Sequence, residues 1–158
     1  MIQVSEGMKA PAFKGKDQNG DTVSLSDLKG KKVVLYFYPE DDTPTCTIEA
    51  CNLRDNYGLL KKEGFEVIGV SPDDSSSHKK FEKKFSLPFT LVADPEHTII
   101  DKYGVWGEKQ LYGRKYMGLH RTTFIIDEKG IVRKVYTKPR SKQHAEDIVK
   151  FWKEEMSL

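Results

Sequence analysis

Val33-Val34-Leu35-Tyr36-Phe37-Tyr38 runs directly into Pro39-Glu40-Asp41-Asp42-Thr43-Pro44-Thr45-Cys46-Thr47-Ile48-Glu49-Ala50-Cys51. Six consecutive β-rich residues without polar alternation mark a strand covered on both faces, hence one central in its sheet. Beyond the polar loop, Ala50, Leu53, Tyr57 and Leu60 recur at spacings of three and four and stop at Gly64. That spacing predicts one helix leading away from the strand, closed by glycine.

Working outward, strands and helices keep alternating. Residues 65–70 read as a second buried strand, 75–85 as a helix with Phe81 and Phe85 one turn apart, 89–93 as a short strand and 96–103 as a short helix. Residues 122–126 and 131–137 flank Asp127-Glu128-Lys129-Gly130 as a hairpin. Ala145, Ile148, Val149, Trp152 and Met156 give a terminal helix one apolar face, with Ser141 as its expected N-cap. Ahead of the central strand, residues 13–17 and 22–25 flank Asn19-Gly20, a hairpin signal, and Ser26 to Gly30 reads as one capped helical turn. The expected architecture is an α/β fold, with a mixed sheet, helices on both faces and a leading β-hairpin. No repeat or linker divides the chain, so residues 1–158 are expected to form a single domain.

Composition narrows the function classes. Of 158 residues, 26 are Lys or Arg and 24 Asp or Glu, a net charge of +2 that argues against nucleic acid or an anionic membrane as partner. No apolar stretch approaches the roughly 20 residues of a membrane helix. The start, Met1 to Gly7, lacks a basic segment followed by an apolar one, so a cytoplasmic location is expected. Two cysteines cannot form the multi-bridge framework of a small secreted scaffold, which points to a chemical use for Cys46 and Cys51.

The loop after a central strand is where α/β sheets place their sites. Cys46 falls near the first turn of the following helix, where free N–H groups and the helix dipole favour a thiolate. Thr43 could cap that helix or hydrogen-bond the sulfur or a bound substrate oxygen, and Pro39 could shield the site from water. The blander reading of a lone cysteine is a small buried hydrophobe. The strand-to-helix junction and a second cysteine five residues on favour the nucleophile. A zinc site fits poorly, because His78, His97, His120 and His144 are scattered without ligand spacing. Lys109, Arg114 and Lys115 among Trp106, Tyr112 and Tyr116 read as a loop packing aromatics near the site rather than as a nucleic-acid surface.

The run Pro39-x-x-x-Thr43-x-x-Cys46 resembles the peroxiredoxin active-site motif. The longer stretch from Tyr36 to Cys51 resembles the peroxiredoxin Q, or bacterioferritin comigratory protein, subfamily. The likeness reaches from Gly7-Met8-Lys9-Ala10-Pro11-Ala12-Phe13 through Gly104-Val105-Trp106-Gly107 to Arg121-Thr122-Thr123-Phe124, close to the whole chain. One departure is Thr45, where members of the subfamily commonly have glycine. The resemblance implies a thioredoxin-like fold and reduction of peroxides without metal or organic cofactor. It implies Cys46 as the peroxidatic cysteine and Cys51 as the resolving one, joined in an intramolecular disulfide that thioredoxin or a similar dithiol protein reduces. Arg121 matches the family's catalytic arginine, and the motif position of Glu49 suggests an ion pair that orients it. A monomer is expected, a weak homodimer being the alternative.

Two rival functions remain at this level. A disulfide oxidoreductase on the same fold would normally carry Cys-x-x-Cys, whereas this spacing is Cys-x-x-x-x-Cys, and it would leave Pro39 and Thr43 without roles. A redox-regulated binding module would need the cysteines to oxidise but not to turn over.

Overall fold

The computed structural model describes residues 4–156; Met1, Ile2 and Gln3 of the expected cytoplasmic start, and the side chain of Met156, lie outside the described residues. The run 33–38 forms β3 (Lys32–Phe37), and Val33, Val34, Leu35, Tyr36 and Phe37 are all buried. It pairs in parallel with β4 (Phe65–Ser71) and antiparallel with β8 (Thr122–Ile126). The leading hairpin is β1 (Lys14–Asp17) and β2 (Thr22–Ser24), followed by a 3₁₀ turn at Leu25–Leu28. With β5 (Thr90–Ala93) and β9 (Val132–Tyr136) the seven strands run β2-β1-β5-β4-β3-β8-β9, a mixed sheet as the sequence implies. Alternation along β3 divides the core into two layers. Val33, Leu35 and Phe37 pack with Ile99, Ile100 and Tyr103 of α4 (Thr98–Tyr103). On the opposite face, Val34, Tyr36 and Tyr38 pack with residues from α1 (Pro44–Asp55), α2 (Tyr57–Lys62), α3 (Ser75–Phe85) and α5 (His144–Met156).

The helix expected through Gly64 is two helices. The break falls at Asn56, whose side-chain amide donates to the Asn52 carbonyl oxygen 2.9 Å away. A side chain that competes for backbone partners in this way favours helix ends over interiors. Leu53 and Leu60, one on each side of the break, are both fully buried. At the other end Ser141 is not the N-cap: α5 starts at His144, and the Asn52 Oδ1 of α1 accepts from the Ala145 N–H at 2.8 Å. A cap borrowed from another helix carries no local sequence signal. Gly69 sits opposite Tyr36 in the β3–β4 register, and a Cβ there would lie 2.9 Å from the Tyr36 ring. That glycine seats Tyr36, and the ring forms part of the layer that holds Cys46.

The stretch from Trp106 to Tyr116, read as a loop, belongs to a separate hairpin of β6 (Trp106–Leu111) and β7 (Arg114–Leu119). Its two-residue turn is Tyr112-Gly113, with φ of 52° and 76°. Both residues are left-handed, as such turns require, but tyrosine is not a turn residue that composition would flag. Tyr112 is 99% exposed, so it packs against nothing. Among the described residues no helix is long and apolar enough to cross a membrane.

Candidate active site

Thr43 is the N-cap residue of α1 by backbone conformation, φ −91° and ψ 157°, and Pro44 occupies the first helical position, where its missing N–H costs nothing. Cys46 is therefore the third helical residue, within the turn whose N–H groups lack intrahelical partners. Its side chain is buried in the layer with Tyr36, Tyr38 and Ala50. The Thr43 hydroxyl does not cap the helix. It donates instead to the Glu40 carbonyl oxygen at 3.1 Å, which leaves the oxygen's lone pairs as acceptors. Thr45, exposed and helical, needs no positive φ at the position where the resemblance leads to the expectation of glycine.

Arg121 enters from the start of β8, the strand beside β3. Its Nη2 donates to Cys46 Sγ at 2.9 Å, and Nη1 lies 3.5 Å from Glu49 Oε1. Glu49 is one turn along α1 from Cys46 and buried, not the exposed helix glutamate of the ordinary alternative. Burial pushes its carboxyl up to about 7, with the Arg121 charge pulling the other way. The hydroxyl of Tyr36 and Glu49 Oε2 are buried polar atoms without a partner in the protein. Pro39 is half-buried at the strand exit.

Cys51 is half-buried in α1, and both cysteines are free. Five helical steps separate their Cα atoms by roughly 8 to 9 Å on different faces, beyond the reach of a disulfide.

The family model described as AhpC/TSA matches residues 7–135. The chain belongs to the AhpC/TSA family. Among relatives, the putative peroxiredoxin bcp of Coxiella burnetii is 46% identical over 148 residues, spanning 94% of this chain and 98% of its own. Peroxiredoxin Bcp of Bacillus subtilis is 44% identical over 153 residues, 97% and 98% of the two chains. A solved structure of Xanthomonas campestris bacterioferritin comigratory protein, described for its alkyl peroxide reduction activity, has a TM-score of 0.84 at 30% identity and covers 90% of each chain. This AhpC/TSA protein is a peroxiredoxin of the Q, or Bcp, type with a thioredoxin-like fold, an enzyme of the thiol-peroxidase class.

One group of polar residues in this peroxiredoxin, buried at His78 and half-buried at Asp41 and Asp73, escapes the sequence pattern. Asp41, Asp73 and His78 bring one ligand-type atom each within 4.8 Å of one another. These atoms are engaged among themselves and with Tyr38, Ser71 and Ser77. Asp41 and His78 are 37 positions apart and lie on different elements, so no local spacing announces them.

Proposed function

We propose that Cys46 is the peroxidatic cysteine of a two-cysteine peroxidase acting on hydrogen peroxide and organic hydroperoxides. The contact between Arg121 Nη2 and the Cys46 sulfur, 2.9 Å at the N-terminus of α1, carries this reading. The thiolate attacks one peroxide oxygen, the O–O bond breaks, and the other oxygen leaves as water or alcohol after taking a proton. Cys46 is left as a sulfenic acid. A guanidinium already on the sulfur also lies where charge develops on the leaving oxygen, so it acts without reorganisation. Thr43, its proton committed to Glu40, accepts from the peroxide O–H and orients it. Glu49 positions Arg121, and Pro39 limits water at the strand exit.

Cys51 is the resolving cysteine in this reading. Its thiolate attacks the Cys46 sulfur, water leaves and an intramolecular disulfide forms. Thioredoxin or a similar dithiol protein restores both thiols with two electrons. The enzyme works as a single-domain cytoplasmic monomer and needs no metal or organic cofactor. Relatives named peroxiredoxin Bcp, and alkyl peroxide reduction by the Xanthomonas campestris protein, support the substrate class.

Peroxide consumption by the purified protein with dithiothreitol is the test. Repeated turnover is expected. A single oxidation without turnover would point to a redox-regulated binding module, and reduction of insulin disulfides in place of peroxide to a disulfide oxidoreductase.

A further inference from the structure

The catalytic loop is held from its far side by α3. His78 is fully buried, and both ring nitrogens face acceptors. Nε2 lies 3.0 Å from the Val92 carbonyl oxygen of β5, and Nδ1 lies 2.7 Å from Asp41 Oδ2. A neutral imidazole carries one N–H and would turn a lone pair toward one of these oxygens. Asp41 also accepts from the Tyr38 hydroxyl at 2.6 Å and the Ser77 hydroxyl at 2.8 Å. The two hydroxyls and the ring nitrogen thus converge on one carboxylate. Tyr38 keeps its own proton, since burial, followed by the neighbouring Tyr36 and Asp41, pushes its hydroxyl well up. The remaining place for the proton is the ring.

The surroundings agree. From the loop after β4, Asp73 Oδ2 accepts from the Asp41 N–H and the Ser71 hydroxyl, both at 2.7 Å, which puts a second carboxylate beside the ring. On α3 itself, Lys79 and Glu82 pair with each other at 2.9 Å. Tyr38 faces the ring from the end of β3 and Val92 from β5. Two carboxylates therefore converge on one histidine buried without exposure.

We propose that His78, protonated on both ring nitrogens, is a positioning residue for Cys46. It clamps Asp41 and through it the entry to α1. The clamp is continuous with the catalytic turn. Asp42, next in sequence, has φ of 60° and pairs with Lys84 of α3 at 2.7 Å. A left-handed conformation is costly for a non-glycine residue and persists where its surroundings impose it. Thr43 then sets the N-cap, and Cys46 follows three residues later. Ser77, His78 and Lys84 grip two consecutive loop residues and fix where the first turn of α1 begins.

This inference rests on the peroxidase reading and makes a separate demand. Attack on peroxide needs the first turn of α1 intact, whereas closure of the disulfide needs it open. Loss of the clamp therefore acts oppositely on the two steps. His78→Gln removes the ring's charge. It should slow oxidation of Cys46 by roughly tenfold to a hundredfold, as small misplacements of reacting groups do, and speed the subsequent disulfide formation. Asp41→Asn alone, with His78 intact, lets the new amide donate to a neutral ring and should keep most of the oxidation rate. Val132→Ala, in the opposite core layer, serves as the comparison: it lowers stability and should leave the ratio of the two rates unchanged.

The experiment is stopped-flow oxidation of these variants, together with ¹⁵N NMR of histidine-labelled reduced protein at pH 7. Two protonated nitrogens on His78 in the unaltered chain and opposed rate changes in His78→Gln are expected. A neutral ring, a ring signal displaced by added Zn²⁺, or both steps slowed alike in His78→Gln and Val132→Ala would overturn the clamp. If the unaltered chain does not oxidise Cys46 with peroxide, the peroxidase reading fails first, and the two failures are told apart.

Discussion

Arg121 Nη2 donates to Cys46 Sγ at 2.9 Å across the joint between β8 and α1, two elements separated by 75 positions in the chain. The contact exists because β8 pairs directly with β3, with Phe37 opposite Thr122, so the residue before Thr122 reaches the helix that β3 feeds. Arg121→Ala should lower the rate of Cys46 oxidation by roughly a hundredfold to a thousandfold, the usual effect of removing one preorganised donor at a developing charge. Stopped-flow fluorescence with hydrogen peroxide checks it. Arg121→Lys should recover little, because one ammonium cannot address the sulfur and Glu49 together.

Buried Glu49 and buried His144 pull the pH dependence of stability in opposite directions. Burial raises Glu49 from 4.5 to about 7, so between those values the native state binds a proton that the unfolded chain has released. Stability from this group is present below pH 4.5 and is lost as pH rises through about 7. Burial lowers His144 from 6.5 to about 4, so its contribution is present above pH 6.5 and is lost as pH falls through about 4. Each amounts to the order of 3 kcal/mol. Thermal melts of the unaltered chain should be nearly flat between pH 4.5 and 6.5. Glu49→Gln should unmask a stability that rises with pH over that window, and His144→Gln one that falls.

The hairpin β6–β7 turns on Tyr112-Gly113, where the first residue is left-handed without being glycine or asparagine. Tyr112→Asn should raise stability by about 0.5 to 1 kcal/mol, and Gly113→Ala should lower it by about 1 kcal/mol. Peroxide turnover should stay unchanged in the asparagine variant. Chemical denaturation with a parallel activity assay measures both.

What was legible in the sequence follows from how local each signal is. The β3 run, the α3 boundaries at Ser75 and Phe85 and the placement of Cys46 in a first helical turn all rest on neighbouring residues, and they appear as read. The break at Asn56 and the cap on α5 from Asn52 depend on contacts between helices, which periodicity does not see. The β6–β7 hairpin was hidden by an atypical turn residue and by charges that read as a loop. In the candidate site, Thr43 was singled out by its place three residues before Cys46, and Arg121 by the family resemblance. Asp41 and His78 were missed as partners because their contact spans 37 positions.

Disulfide closure must unwind α1, since helical spacing holds the two cysteines too far apart. Oxidation should weaken amide protection from Thr43 to Asp55 and expose Leu53, which is fully buried; Ile48, already 40% exposed, changes less. The Asn52 side chain also holds α5, donating to the Lys142 carbonyl at 3.0 Å and to Glu146 Oε1 at 2.8 Å. Loosened protection should therefore reach the start of α5. Hydrogen exchange on reduced and oxidised protein checks this. Equal protection across α1 in both states would mean that Cys46 and Cys51 do not pair.

The division of labour between the two cysteines is tested most directly by peroxide stoichiometry in single-cysteine variants without reductant. Cys51→Ser is expected to consume one equivalent of peroxide and to carry a sulfenic acid at Cys46, read as a mass increase of one oxygen on that peptide. Cys46→Ser is expected to consume none. Peroxide consumption by Cys46→Ser at the rate of the unaltered chain, or an unmodified Cys46 in Cys51→Ser after the peroxide has gone, would contradict the assignment.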